Sequence, residues 1–178
     1  MYRYSLVAFA FSTLLIGCEQ AEITQPPILV IPKDQNQSVG IDVYARNRAS
    51  GNPVPRFRGQ ETVQIRTFGN RDGSGFAEIT GVGCIVDSGL YEASFTTPAN
   101  IGVPDYGPDS PSIFVRCEAA PLSGSVTVDA FNLTSSQRQG NAIGTGLLGA
   151  IIIGAVTAAN VNPEQDEYAY PAITVQLR

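Results

Sequence analysis

The sequence has no histidine, no tryptophan and a single lysine, Lys33, among its 178 residues. The absence of histidine excludes a Ser-His-Asp triad, a Cys-His pair and every histidine-containing metal site. Lys33 lies in a segment rich in proline and glutamine, which is a poor place for a Ser-Lys dyad. The absence of tryptophan removes the hallmark core residue of antibody domains, so any likeness to them concerns architecture alone.

Carboxylate pairs are the remaining catalytic candidates. One pair is Asp105 with Asp109, and a second cluster contains Glu164, Asp166 and Glu167. Two carboxylates can share general acid and base roles. Both sets lie among proline, glycine and asparagine, however, where solvated turns are the simpler interpretation. We therefore predict a protein that is not an enzyme and has no cofactor and no metal.

Residues 1–17 have the pattern of a signal peptide, with Arg3 followed by an apolar run over residues 6–16. The run is too short to anchor the mature chain by spanning a membrane. It ends in the sequence Leu-Ile-Gly-Cys at residues 15–18, which resembles the lipobox of bacterial lipoproteins. The resemblance implies that Cys18 is acylated and becomes the new N-terminus. Three acyl chains would exceed what stable membrane anchoring needs.

Glu19 follows the candidate lipidation site. In the same resemblance an aspartate at this position implies retention in the inner membrane, so glutamate favours the outer membrane. An ordinary signal peptide cleaved nearby, or a chance apolar run, is the alternative. The lipidated interpretation predicts a bacterial envelope protein whose first partner is the membrane itself.

Positive charge is scarce in the expected mature chain. Removal of residues 1–17 removes only Arg3 from the basic residues, which leaves 10 basic residues against 16 acidic ones. The basic residues are nearly all arginine and are spread along the chain, so they indicate no basic patch. The sequence therefore predicts no nucleic-acid partner.

Residues 18–38 are rich in glutamine, proline and acidic residues, and Pro26, Pro27 and Pro32 exclude a helix. We expect an extended tether, which at about 3.1 Å per residue would hold a folded domain roughly 50–65 Å from the bilayer. The apolar residues 28–31 are an exception, because they could dock as an edge strand.

Residues 83–118 contain two short strands in which alternate residues are apolar, and each strand carries a cysteine. The alternation places Cys84 with Val86 and Cys117 with Val115, so that both thiols point inward. We predict a Cys84–Cys117 disulfide, which would stabilise the fold by about 3–4 kcal/mol through closure of a loop of about 33 residues. Two buried free thiols are the alternative.

Short alternating segments recur through residues 39–178. About seven strands separated by turn residues predict a mainly β fold, an immunoglobulin-like β-sandwich in one domain. The residues expected to share inward faces are Ile41, Val43, Ala45, Val63, Ile65, Tyr91, Ala93, Phe95, Ile113, Val126, Val128, Ala130, Ile173, Val175 and Leu177.

Residues 70–75, with the sequence Asn-Arg-Asp-Gly-Ser-Gly, lie between two of these strands. An EF-hand-like calcium loop would draw its ligands from this run and from Glu78. Gly81 stands where such a loop needs a bidentate glutamate. A hairpin turn is the favoured interpretation.

Residues 140–159 do not fit a plain sandwich, because 25 uncharged residues separate Arg138 from Glu164. We predict one glycine-rich helix or helical hairpin near the C-terminus, long enough in helical form to cross a hydrocarbon core. Strands precede and follow it, so we expect it to pack on its own domain or on a neighbouring subunit and not to span a membrane once. Small residues at every fourth position would allow close helix approach. This helix-packing stripe contains Ala142, Gly146, Ala150, Gly154 and Ala158.

Several motifs together resemble a family of small bacterial envelope lipoproteins with a PEGA-like β-module. They are Cys84, Val-Asp-Ser-Gly at 86–89, Phe-Thr-Thr-Pro-Ala at 95–99, Val-Arg-Cys at 115–117, Gly-Leu-Leu-Gly-Ala-Ile-Ile-Ile-Gly-Ala at 146–155 and Tyr-Ala-Tyr-Pro at 168–171. The resemblance implies an envelope location, a β-module and a glycine-rich apolar insertion before the last strand. It brings no activity and no ligand with it.

Two functions of different class follow. The first is a non-enzymatic, lipid-anchored envelope protein that acts as a structural or protein-interaction module, with another envelope protein or a second copy as partner. The second is a membrane-active or pore-associated lipoprotein whose glycine-rich segment inserts or oligomerises. A module that binds a small ligand or glycan is a third, based on Tyr106, Tyr168 and Tyr170 as exposed aromatic residues.

Overall fold

A computed structural model describes residues 20–71, 73, 75–143 and 161–178. The predicted signal peptide, the candidate lipidation site Cys18 and positions 72 and 74 lie outside these residues. Most of the glycine-rich segment, residues 144–160, also lies outside them. Within the described residues the protein is mainly β, with several sheets, as the sequence predicts.

Twelve strands and two α-helices occur in the described ranges, and seven of those strands have five or more residues. The strands are β1 (Ile28–Leu29), β2 (Ile31–Pro32), β3 (Gly59–Gly69), β4 (Ala77–Glu78), β5 (Gly83–Asp87), β6 (Tyr91–Thr96), β7 (Ala99–Asp105), β8 (Ile113–Ala119), β9 (Leu122–Val128), β10 (Phe131–Asn132), β11 (Tyr168–Ala169) and β12 (Ile173–Leu177). The helices are α1 (Ala45–Ala49) and α2 (Leu133–Ile143), and a 3-10 turn covers Gly107–Asp109.

The described strands form two five-stranded sheets and one two-stranded pair, β10 with β11. In the first sheet the order is β1-β7-β3-β12, and β4 pairs with the end of β3. In the second sheet the order is β2-β6-β5-β8-β9. β1 runs parallel to β7 and β12 runs parallel to β3, whereas the other neighbours are antiparallel.

Residues from both sheets form one hydrophobic core. Burial alternates along β6 and β12 because successive side chains of a strand point to opposite faces, and this confirms the inward faces predicted for both strands. Burying one large apolar side chain contributes about 1.5–3 kcal/mol. The most deeply buried apolar side chains include Tyr91, Ile65, Ile101, Ile113, Val63, Val82, Val86, Val103, Val115 and Val175.

The edges of the two sheets meet at both sides of the domain. On one side the N-terminal chain crosses from β7 to β6 at Val30, whose side chain is buried. On the other side Ser123 and Arg178 exchange two backbone hydrogen bonds of 3.0 Å. A Cβ on Gly124 would overlap the carbonyl oxygen of Gln176, so only glycine allows this approach of β9 to β12. The contacts cover edges that would otherwise offer unpaired backbone groups to another chain.

The strand predicted over residues 41–45 is wrong. Asp42 Oδ1 accepts a hydrogen bond from the Tyr44 amide at 3.1 Å, and this local turn competes with strand pairing. Arg48 Nη1 donates to Asp42 Oδ2 at 2.6 Å from within α1. The carboxylate therefore stabilises a turn and a short helix where the apolar alternation indicated a strand.

The tether predicted over residues 18–38 is docked on the domain wherever the structure describes it. β1 and β2 pair with β7 and β6, as residues 28–31 allowed. Lys33 Nζ donates to Asp87 Oδ2 at 2.7 Å beyond them. Proline excludes a helix, but it is tolerated in an edge strand. Residues 21–38 are therefore part of the fold and not a spacer, which corrects the prediction.

The domain has two opposite ends, named here after what each carries. The hairpin end holds the turn between β3 and β4 and the end of β12. The insertion end holds the start of β3, the end of β7 and the β10–β11 pair, whose strands precede and follow the glycine-rich segment in the sequence. Because β3 has 11 residues, the ends are separated by about 36 Å at about 3.3 Å per residue.

Candidate functional site

The β10–β11 pair brings together the chain before and after the glycine-rich segment at the insertion end. Asn132 lies opposite Tyr168 in this pair. The Leu133 amide donates to the Glu167 carbonyl at 2.8 Å, and the Glu167 amide donates to Thr134 Oγ1 at 2.9 Å. Residues 133–134 and residue 167 are therefore held side by side.

Asp166 lies at the centre of the contacts that hold this base, meaning the β10–β11 pair and the residues beside it. Its carboxylate is buried and accepts hydrogen bonds from Asn132 Nδ2 at 2.8 Å and the Asn162 amide at 2.9 Å, with Arg138 Nη2 at 3.4 Å. The hydrogen bond from Asn132, together with the Asn162 amide and Arg138, lowers the pKa of Asp166 below its ordinary value despite the opposing effect of burial. Asn132 Oδ1 also accepts the Ser135 amide at 2.7 Å, which caps the start of α2.

Arg58 fastens the base to the first sheet. Its Nη1 donates to the Asp166 carbonyl at 2.9 Å and its Nη2 donates to the Pro163 carbonyl at 2.6 Å. The guanidinium carbon lies 5.9 Å from the ring centroid of Tyr168, a cation–π distance. A Cβ on Gly107 would overlap the guanidinium, and the φ of +63° at this residue also favours glycine. We name Arg58, Asn132, Asp166 and Tyr168 the base network.

The predicted helix-packing residues are only partly within the described residues. Ala142 lies in α2, whereas Gly146, Ala150, Gly154 and Ala158 lie outside them. The small-residue stripe therefore stays a prediction. Among the described residues, no helix is both long enough and apolar enough to cross a membrane.

The hairpin end holds the start of the described chain. Glu78 Oε2 accepts the Ala21 amide at 2.9 Å, and Arg66 Nη1 donates to the Ala21 carbonyl at 2.9 Å. Arg66 and Glu78 also pair directly at 2.6 Å, with each side chain 11% exposed. We name these three residues the N-terminal clamp. Because Glu78 is committed to it, the calcium interpretation loses a ligand, and no metal-binding cluster occurs among the residues that the structure describes.

The antiparallel pairing of β3 with β4 confirms that the two strands form a hairpin, as predicted. Phe68 lies opposite Glu78 and Gly69 lies opposite Ala77. Phe76 projects from this turn with 63% of its surface exposed, and its ring stacks on Phe68 at a centroid distance of 6.0 Å. The hairpin end therefore presents a large aromatic side chain beside the N-terminal clamp.

Cys84 and Cys117 lie at disulfide distance, with their sulfur atoms 1.96 Å apart. They are direct partners in the register of β5 and β8, and both are buried, which confirms the predicted pairing of inward-facing cysteines. The bond joins neighbouring strands of one sheet. In antibody domains the corresponding bond joins the two sheets.

Two of the candidate catalytic carboxylates, Asp105 and Asp166, accept hydrogen bonds from the backbone of nearby turns. Asp105 Oδ1 accepts the Gly107 amide at 2.6 Å, while Asp109 is exposed on the following 3-10 turn. Glu164 and Glu167 are exposed, and Asp166 belongs to the base network. Neither set presents two carboxylates in a shared cleft within the described part of the chain.

Glu61 is a titratable group that the sequence analysis did not single out. Burial raises the pKa of its carboxyl to about 7. Its Oε1 accepts the Tyr170 amide at 2.6 Å, which ties the chain leaving the base network to β3. A polar residue at an inward position of β3 was the signal that could have identified it.

The three tyrosines proposed as exposed are mainly packing residues. Tyr106 and Tyr170 are 1% and 6% exposed, which contradicts the expectation. The Tyr106 hydroxyl accepts the Val43 amide at 2.8 Å, and the Tyr170 hydroxyl donates to the Pro111 carbonyl at 2.5 Å. Their side chains are therefore unavailable to a glycan, and Tyr168 lies under Arg58.

An open groove of about 510 Å³ lies beside the N-terminal strands. Leu29 and Ile31, which are 49% and 57% exposed, form part of its wall with Ile41 and Gln60. The lining contains no ionisable side chain, so the groove offers apolar contact and no acid, base or metal ligand.

Comparisons of the chain with protein-family models, with curated proteins and with solved structures find no match.

Proposed function

We propose that the protein is a non-enzymatic lipoprotein of the bacterial envelope, anchored through Cys18 in the outer membrane. Its β-domain, an immunoglobulin-like sandwich, acts as a structural or protein-interaction module that presents the glycine-rich segment to another envelope protein or to a second copy. The resemblance of its motifs to small envelope lipoproteins supports this class. The proposed function involves no nucleic acid and no cofactor.

One observation carries the proposal: residues 132–138 and 162–168, which flank the glycine-rich segment, are fastened together on a disulfide-linked β-domain. A buried carboxylate, a helix cap and an arginine bound to two carbonyls hold this base. Buried polar networks of this kind fix geometry when every member is satisfied. A rigid attachment of this kind supports the proposed role, because a segment that is presented to a partner protein needs a defined direction.

The anchor is tested by metabolic labelling with a fatty acid. The wild-type chain should incorporate label, and Cys18→Ser should remain an unlabelled and unprocessed precursor. Equal incorporation in both chains would contradict lipidation of Cys18.

The interaction role is tested by photocrosslinking in intact cells. A photoreactive residue replacing Phe131, which is 37% exposed at the insertion end, should give one discrete protein adduct. The same residue replacing Ile85, which is 49% exposed on the second sheet, should not. Asp166→Asn should weaken the adduct, and Asp109→Asn, at an exposed carboxylate, should leave it unchanged.

Three results would refute the interaction module: no adduct at position 131, the same adduct at both positions, or leakage of lipid vesicles by the purified lipoprotein. Leakage would favour the membrane-active alternative.

A further inference from the structure

We propose that the hairpin end stands directly on the bilayer that holds the lipid anchor, with Phe76 in the headgroup region and the insertion end facing away. This inference rests on the proposed anchor at Cys18 and deepens it, because it names a second, protein-borne contact with the lipid surface.

Only a short length of chain separates the proposed anchor from the domain. Ala21 is fixed on Glu78 and Arg66 through both of its backbone polar groups. Cys18 precedes it by three positions, and three extended residues span at most about 10 Å. A lipid on Cys18 therefore holds the N-terminal clamp within about 10 Å of the membrane surface.

The N-terminal clamp brings the side chain of Phe76 close to that surface. Phe76 is 63% exposed and precedes Glu78 of the clamp by two positions. The ring of Phe76 stacks on the ring of Phe68, and this contact holds the exposed side chain in place. Phenylalanine is among the apolar residues through which peripheral elements enter the boundary between the headgroups and the acyl chains. We expect the exposed ring of Phe76 to contact a lipid surface, because the chain that leads to the proposed anchor starts beside it.

Arg66 and Glu78 neutralise each other at a distance of 2.6 Å, so the clamp adds no unpaired charge to the contact. Arg71 is exposed on the same turn and is suited to lipid phosphate.

The consequence concerns the opposite end. β3 places the base network about 36 Å from the hairpin end, at about 3.3 Å per residue. Anything that leaves the base network starts on the side away from the anchoring bilayer. The partner at the insertion end is therefore a component in the aqueous space or in a facing layer of the envelope.

The test uses the absence of tryptophan, which makes any introduced indole a single reporter. Full-length, lipidated Phe76→Trp and Phe131→Trp are reconstituted into vesicles that contain lipids brominated close to the headgroup. We expect quenching of the emission at position 76 and no quenching at position 131. Arg71→Trp, on the same turn, should also be quenched, which provides a second reporter if Phe76→Trp folds poorly.

Equal quenching at both ends, quenching only at position 131, or none at positions 71 and 76 in a chain that carries lipid would overturn the orientation and leave the anchor intact. A chain that mass measurement shows to lack lipid would refute the anchor and, with it, this inference.

Discussion

The insertion end and the hairpin end of the domain are held by different chemistry. At the insertion end a buried carboxylate, an asparagine cap and an arginine gather two segments that lie far apart in sequence. At the hairpin end one ion pair holds the start of the described chain, and an aromatic ring is left exposed beside it. The first arrangement holds together the chain segments on either side of residues 144–160, whereas the second holds Ala21 against the domain.

The Cys84–Cys117 bond joins β5 to β8 in the second sheet, and its loss should have the largest effect on the stability of the whole domain. Cys84→Ala and Cys117→Ala should each lower the free energy of unfolding by about 3–4 kcal/mol, because either change opens the same loop of the unfolded chain. Urea denaturation measures this. The double variant should cost no more than either single one, and additive losses would contradict a common bond.

Arg66→Ala removes the ion pair of the N-terminal clamp at the hairpin end. The change leaves Glu78, a mostly buried carboxylate, without its cation, and we expect a loss of about 2 kcal/mol, less than for a fully buried pair. Arg116→Ala is the matched control, because Arg116 pairs with Glu118 on the surface and exposed pairs contribute at most about 1 kcal/mol. Proteolysis should release the N-terminal strands in Arg66→Ala before the rest of the domain unfolds. Equal losses in the two variants would remove the special role of the N-terminal clamp.

The insertion end is weakened by Asn132→Ala, which removes the cap of α2 and a donor to Asp166. Loss of a helix cap costs about 1 kcal/mol. Asn70→Ala, at an exposed position of the hairpin end, should change stability by less than about 0.5 kcal/mol. Thermal unfolding measures both changes, and a neutral Asn132→Ala would show that the base network does not hold the segment.

The smallest expected effect is a dependence of stability on pH that arises from Glu61, near the insertion end. The pKa of Glu61 is raised to about 7 in the fold by burial, with contributions from Asp105 nearby, from an ordinary value of 4.5. Between pH 4.5 and about 7 the folded state therefore binds more protons than the unfolded state. The contribution of Glu61 to the free energy of unfolding is fully present below pH 4.5 and is lost as the pH rises towards about 7. The carboxyl also faces Tyr91 and Tyr170.

Glu61→Gln keeps an oxygen for the Tyr170 amide and cannot ionise. We expect it to be more stable than the wild type at pH 8 by about 0.5–1 kcal/mol, because partial exposure reduces the cost of the charge, and to match the wild type at pH 4. Denaturation at the two pH values measures the difference. A constant difference at both would contradict titration of Glu61 in this range.

The sheets were the predictable part of this protein. Alternation places Tyr91, Ala93 and Phe95 inward because a strand has a period of two, and the same rule brings Cys84 and Cys117 together. It failed at residues 41–45, where the Asp42 side chain binds its own turn and no alternation reports that bond.

The two ends could not be predicted, because they depend on contacts between distant residues. Arg58 meets Asp166 across 108 positions, and Ala21 meets Glu78 across 57. Each residue lies in an unremarkable local sequence, so only the register of the sheets brings the partners together. The Asn132 cap is the exception, since an asparagine before a run able to form a helix is a local signal.

The difference between the two ends is tested most directly by hydrogen exchange of the unmodified, lipidated chain on vesicles and in detergent-free solution. The vesicles should slow exchange at residues 69–77 of the hairpin end and leave residues 131–138 and 166–170 of the insertion end unchanged. Slower exchange at the insertion end alone, or equal exchange at both ends in the two conditions, would contradict an orientation in which the hairpin end faces the bilayer.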